Sequence, residues 1–373
     1  WIGSIFTLGY ALGQTPSGML ADKFGPRRVL ASVIGIWSLF TAMTGAAFNF
    51  LSMMVTRFLF GVGEAGAFPS LARATFSWFP TRERGTVTGI NFSASRLGGA
   101  LAYPLMVWLI AWLGWRGAFF ALGGIGVLMA AAWFACFRDD PKDHPLVSDA
   151  EKDYILSNRQ KPAGDATGKL PFRHLIRQPQ MCLAMVQYFC SNFTFFFCLF
   201  WLYPHVRETY SLTREEAGLL SAVPLLGGAA GNWISGILVD NRFRAGQHVL
   251  SRRLPAIIGF SLAAIGLIVS VHMGTAFGAV AFLTLAVFGA DMTLSPSWSF
   301  CVDVGGRHAG AVSGTMNMAG NLGSFVTVLA FPYLLSWFGS TTPFFYIAAA
   351  LNVLAVFLWL RMHPEKTLET KTP

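Results

Sequence analysis

Apolar stretches of about 20 residues, each long enough to carry an α-helix across roughly 30 Å of hydrocarbon, follow one another along the chain between short polar breaks. Eleven are legible: Trp1 to Leu20, Val29 to Phe48, Leu51 to Trp78, Thr86 to Leu113, Gly117 to Phe137, Met181 to Val206, Ala217 to Val239, Leu254 to His272, Phe277 to Val302, Gly310 to Phe338 and Pro343 to Leu360. A long polar segment separates the first five from the last six. It holds Asp139-Asp140-Pro141-Lys142, a Ser148-x-x-Glu151 capping box that predicts a short helix, and a Pro162-Ala163-Gly164 break. The pattern predicts an all-α membrane protein with an N-terminal bundle over residues 1–137, a linker over 138–180, and a C-terminal bundle with a short tail over 181–373.

The two bundles echo each other. Gly18-Met19-Leu20-Ala21-Asp22 recurs 218 residues later as Gly236-Ile237-Leu238-Val239-Asp240, and the same shift lays Gly9, Ala11, Gly13 and Ser17 on Gly227, Ala229, Gly231 and Ser235. At an offset of 225, Gly85, Gly89 and Gly98 fall on Gly310, Gly314 and Gly323. Such duplication is the mark of transporter folds. The first shift pairs the first visible helix with the second helix of the later half, so one further helix is expected ahead of it, completing two six-helix bundles.

Composition supports this reading. Hydrophobic residues make up 54% of the chain and charged residues 12%, against roughly a quarter charged in soluble domains. The net charge of +9 does not point to nucleic acid, because the basic residues are interleaved with the spans. Alternating loops collect Lys23, Arg27, Arg28, Arg82, Arg84, Arg242, Arg244, Arg252, Arg253 and Arg307 on one side with the linker and tail, leaving Arg116, Arg207 and Arg214 on the other. The positive-inside rule makes the crowded side cytoplasmic. Five scattered cysteines lack metal-binding spacing, no hydrolase or zinc-protease motif is present, and neither a cofactor nor an enzyme is expected.

Three segments carry candidate chemistry. In the turn from Gly18 to Arg28, Gly18 permits close helix contact, Asp22 can pair with a basic residue or a facing helix N-terminus, and Gly25 supplies the bend. Lys23, Arg27 and Arg28 either join this gate or only set topology. Arg57 and Glu64, seven residues apart in one apolar span, share a helix face about 10 Å apart in rise, and buried charge by default faces a cavity or a partner. A fixed cation beside a titratable carboxylate suits proton-coupled anion transport, and a structural ion pair is the competing reading. In the later half, Ser295, Trp298 and Ser299, then Asn317 and Asn321 on one helix face, offer hydroxyl-reading groups and a stacking ring, with packing as the alternative. Asp291 is a further proton-site candidate, and Asp303 is assigned to the cytoplasmic loop.

Gly18-x-Leu20-Ala21-Asp22-Lys23-x-Gly25-x-Arg27-Arg28, with its degenerate copy at Gly236 to Asp240, resembles the loop between the second and third helices of the major facilitator superfamily. Arg57-Phe-Leu-Phe-Gly-Val-Gly-Glu64-Ala-Gly-Ala-Phe-Pro69, Tyr10-x-x-x-Gln14-x-Pro16-x-Gly18, Gly114-Trp115-Arg116 and Asn317-x-x-Gly320-Asn321 are similar to its anion:cation symporter family, which includes hexuronate, galactonate and glucarate permeases and is related to sialin and the vesicular glutamate transporters. The resemblance implies a major facilitator fold, Tyr10 and Arg57 at the acidic end of a substrate, and proton coupling through Glu64. Where galactonate-type members read hydroxyls with a glutamine, this chain has Ser93-Ala94-Ser95-Arg96. Ser95 and the second cation, Arg96, therefore argue against galactonate and toward a dicarboxylate or another acidic group, unless Arg96 is paired structurally.

The expected protein is a multi-pass inner-membrane symporter of protons and a small organic anion, a sugar acid, surrounded by lipid and functional as a monomer. An exporter or exchanger of aromatic or dicarboxylic acids and a nontransporting sensor on the same scaffold are the alternatives.

Overall fold

The structure is a computed structural model and describes residues 2–160 and 170–368. The Pro162-Ala163-Gly164 break lies outside the described residues. Every regular element among them is helical: Ile2–Phe24 (α1), Pro26–Ala46 (α2), Phe50–Glu64 (α3), Ala67–Trp78 (α4), Arg84–Cys136 (α5), Asp149–Asn158 (α6), Phe172–Leu175 (α7), Pro179–Phe200 (α8), Leu202–Thr209 (α9), Arg214–Arg244 (α10), His248–Val271 (α11), Ala276–Met292 (α12), Leu294–Gly305 (α13), Ala309–Phe338 (α14) and Thr342–Arg361 (α15).

Local signals set the boundaries. Gly25 takes φ 83° between α1 and α2, where Pro26 opens the next helix. Asn49 with Ser52 and Thr213 with Glu216 form capping boxes at the starts of α3 and α10. Ser148 caps the predicted linker helix by accepting from the Glu151 amide.

Three departures from the predicted spans matter. The spans Thr86 to Leu113 and Gly117 to Phe137 are one long element kinked at Gly114, whose φ of 69° and ψ of 168° are not helical. The span Leu51 to Trp78 breaks immediately after Glu64, and Phe277 to Val302 breaks just past Asp291. Both breaks leave an acidic residue at the end of a half-helix inside an apolar run. Seven helical stretches are long and apolar enough to cross a membrane among the described residues, because such breaks and mergers divide the eleven sequence stretches differently.

Helices of the two sequence halves meet through α1 against α14 and α5 against α10. The contacts are backbone-close. A Cβ on Gly18 would collide with the Gly310 carbonyl, and one on Gly236 with the Gly85 carbonyl. At each crossing a carboxylate from one half caps a helix of the other. The Gly310 and Ala311 amides donate to Asp22 at 2.9 and 2.7 Å, and the Gly85 and Thr86 amides donate to Asp240 at 2.8 and 2.7 Å. These are the orphan donors of the first turns of α14 and α5. A charge placed on a partly buried helix N-terminus contributes up to about 2 kcal/mol.

The later half has the larger apolar core, with Phe193, Phe197, Phe331, Phe344 and Phe345 packed together. The earlier half buries a smaller set, Ala21, Val29, Leu30, Val33 and Ile34. Leu101, Val107, Trp112 and Leu128 on α5 are more than half exposed, a surface suited to hydrocarbon.

The glycine contacts make a direct prediction. Gly18→Ala overpacks the α1–α14 crossing and should destabilise the detergent-solubilised protein by about 1–3 kcal/mol. Gly35→Ala meets nothing within 4 Å and should stabilise α2 by about 0.5–1 kcal/mol. Thermal unfolding of the two variants checks the contrast.

Candidate functional site

Between the halves, α1, α4, α5, α8, α12, α13 and α14 enclose a cavity of about 100 Å³, small against the roughly 300–1,000 Å³ of small-molecule sites. The conformation is thus constricted around its centre. Of the predicted site residues, Tyr10, Ser95, Arg96, Trp298, Asn317 and Asn321 line it. Sequence reasoning passed over Phe68, Phe92, Tyr188, Ser191, Asn192 and Phe195, which line it too. Tyr188 and Asn192 stand four apart on α8, the spacing that singled out Asn317 and Asn321, so periodicity alone could have found them.

Aromatic side chains from both halves form one wall. Phe68 and Phe92 stack with centroids 4.9 Å apart, and Trp298 stands 5.7 and 5.5 Å from them. The Trp298 indole donates to the Tyr188 hydroxyl at 2.8 Å. Asn321 donates to the Asn317 carbonyl and side-chain oxygens at 2.9 and 3.3 Å, placing both amides on one face as predicted.

One ion pair crosses the cavity. Arg96 Nε and Nη2 donate to the two Asp291 oxygens, each at 2.8 Å, and the guanidinium carbon lies 3.7 Å from the centre of the Phe195 ring. The geometry is bidentate, the strong form of an arginine–carboxylate contact. Arg96 is paired as the structural reading of the sequence anticipated, while still facing the cavity.

Arg57 and Glu64 are not among the cavity-lining residues. Glu64 lies within electrostatic reach of Arg57 and of Tyr10. The Arg57 guanidinium sits 5.8 and 5.7 Å from the Phe60 and Phe119 rings, and its buried Nε has no hydrogen-bond partner. Gln14, one turn from Tyr10 and fully buried, leaves both amide atoms without a well-formed hydrogen bond. An unanswered buried polar atom costs about 1–3 kcal/mol, and both groups are therefore poised for a polar partner.

Ser295 is not among the cavity-lining residues. Its hydroxyl donates to the Gly85 carbonyl at 2.7 Å, fastening the peptide whose amide caps Asp240, because α13 turns that side chain toward α5. The gate residues separate similarly. Gly18, Asp22, Gly236 and Asp240 make the cross-half contacts. Gly25 packs on Asp139, which accepts from the Arg27 amide at 2.7 Å. Arg27 also donates from Nε to the Phe134 carbonyl, within its own half. Lys23 and Arg28 are exposed.

Charges read as loop residues turn out to be buried at this same end. Arg84 and Arg252, both 0% exposed, bind the two oxygens of Asp303 at 2.8 and 2.9 Å, joining the halves by a third contact. Gln160 at the end of the described linker accepts from Arg84 and donates to the Asp303 carbonyl. Arg73 stands 3.9 Å from Asp22 and donates to Ser77. Loop length gave no signal of these ion pairs, since each carboxylate lies more than 50 residues from the arginines it meets.

Chemically, the cavity presents the Arg96 guanidinium with its paired Asp291 carboxylate, two phenols, several amides and hydroxyls, and flat aromatic faces, a set that can hold an acidic, hydroxylated small molecule. Among the described residues no cluster of three metal-ligating side chains occurs.

Known proteins agree with this architecture. Residues 1–328 match the Major Facilitator Superfamily. The chain is 32% identical over 368 residues to the probable sulfoacetate transporter SauU of Cupriavidus necator, covering 98% of this chain and 85% of that one. It is 34% identical over 355 residues to the probable galactarate/D-glucarate transporter GarP of Escherichia coli, covering 90% and 79%. Among solved structures, the proton:xylose symporter XylE superposes with a TM-score of 0.76 at 16% identity, covering 97% of this chain and 85% of that one. Paired half-chain echoes, helices crossing at glycines around a polar centre, and these matches over nearly the whole length lead to one conclusion: the chain belongs to the major facilitator superfamily of multi-pass membrane transporters and is not an enzyme.

Proposed function

We propose that this protein is a proton-coupled symporter of a small organic anion, a sugar acid of the hexuronate, aldonate or aldarate type, working by alternating access in the inner membrane. The observation that carries the reading is the central cavity, where Arg96 stands among Tyr10, Tyr188, Asn192, Asn317 and Asn321 between two duplicated halves. A guanidinium recognises an acidic group, and amides and phenols recognise hydroxyls. The acids named for its relatives combine the same features.

The moving bodies in this reading are residues 1–137 and 181–373, joined by the linker 138–180. The linker side is cytoplasmic by its excess of arginine and lysine. Asp22 with α14, Asp240 with α5, and Arg84–Asp303–Arg252 hold that side shut, and rocking the bundles breaks these contacts. Arg57 contributes to anion recognition with Tyr10, while Glu64 carries the coupled proton. A second proton at Asp291 is not part of this reading, because Arg96 engages both its oxygens.

A twelfth helix, preceding α1, belongs to the proposal on grounds of internal symmetry. Gly323 on α14 abuts the Phe189 carbonyl of α8, whereas Gly98, its counterpart at the 225 offset, and Gly99 meet nothing within 4 Å. Of an 18-residue apolar run within Pro104–Cys136 only 6% is buried, against 61% of the corresponding run in α8. A helix equivalent to α8 would cover this face and complete the pseudo-symmetric pair of six-helix bundles.

Uptake of labelled aldonates, aldarates and hexuronates into proteoliposomes, with and without an inward proton gradient, tests the function. Gradient-driven accumulation of at least one acid is expected; uptake indifferent to the gradient would overturn proton coupling, and uptake of none would remove the anion reading. In the same assay Arg57→Ala should abolish binding, and normal binding would reduce that arginine to a structural role. Glu64→Gln should preserve exchange of internal for external substrate while losing accumulation, so a variant that still accumulates would place the proton elsewhere.

A further inference from the structure

We infer that Arg96 is a specificity-determining residue that binds a second acidic group, so that the site favours an acid charged at both ends. The inference rests on the anion-transport reading above and extends it.

The orientation of the ion pair carries the argument. Arg96 spends Nε and Nη2 on Asp291. Its Nη1 has no hydrogen-bond partner among the described residues and is not one of the fully buried unpartnered atoms, so this nitrogen keeps some exposed surface and a free donor. The side chain keeps 16% of its surface exposed, whereas the Asp291 side chain keeps 1%. Asp291 is also walled in by α10, where a Cβ on Gly228 would collide with its Oδ2. Both members of the pair line the cavity, and the arginine is the more exposed of the two.

An acidic group approaching Nη1 would meet the cation at hydrogen-bond distance, with the Asp291 carboxylate on the far edge of the guanidinium. Attraction by the nearer charge exceeds repulsion by the farther one. At an effective dielectric near 20 the surplus corresponds to about a tenfold gain in affinity over an uncharged end group. The Phe195 ring 3.7 Å from the guanidinium carbon holds its plane, and Ser95 on the same helix lines the cavity beside it. No second carboxylate lines the cavity among the described residues, so the incoming group competes with Asp291 alone. Asp291 orients the arginine and sets the strength of its field.

Direct binding of a six-carbon aldarate and of the aldonate with the same configuration, measured on the full-length purified protein, tests this. Arg96→Gln combined with Asp291→Asn, which removes the pair without leaving a lone buried charge, should lower the diacid-to-monoacid affinity ratio about tenfold. Asp291→Asn alone strips the counter-charge from Arg96 and should raise the ratio. A ratio unmoved in both variants would overturn the inference, as would a ratio shifting in the same direction in both. If the unaltered protein binds neither acid, it is the anion-transport reading that fails, and the two failures are thereby distinguished.

Discussion

A helix that starts inside a membrane protein has several amides with no helical partner and no water to satisfy them. Here two such starts, α14 and α5, are each answered by a carboxylate from the opposite half of the chain. Asp22 and Asp240 do more than cap. Each reaches its helix only because glycines let the backbones touch, and each thereby fixes how the two halves sit on one another at the linker end. Ser295 secures the Gly85 peptide from its other side, and the Arg84–Asp303–Arg252 cluster adds a charged contact alongside.

The same constraint explains why the centre is polar. Helices that run unbroken through the bilayer satisfy their own backbones and present only side chains. Two of the helical runs here do not run through: α3 ends at Glu64 and α12 ends one residue after Asp291. These interruptions bring acidic groups to the middle of the molecule, where their cost is tolerable only beside a partner or a polar cavity. Asp291 has its partner in Arg96. Glu64 has Arg57 and Tyr10 within electrostatic reach but no comparable clamp.

Much of this was legible in the chain. Runs of apolar residues determined that the protein is helical and crosses a membrane, because backbone groups in hydrocarbon must bond internally. The two echoes at offsets of 218 and 225 revealed the duplication, and the spacing of Asn317 and Asn321 placed them on one face. Arg57 and Glu64 stood out because charge is rare in apolar spans. Tertiary structure alone decided which groups meet. The echoes are partners of one another: Asp22 of the first set caps the helix beginning near Gly310 of the second, and Asp240 caps the one beginning near Gly85. Nothing local marks that exchange, nor the union of Arg96 with Asp291 across 195 positions, nor the burial of Arg84 and Arg252, which resemble any loop arginine. Periodicity records which side of a helix a residue occupies. The identity of the neighbour on that side depends on how whole helices pack, a property of the folded chain and of no segment within it.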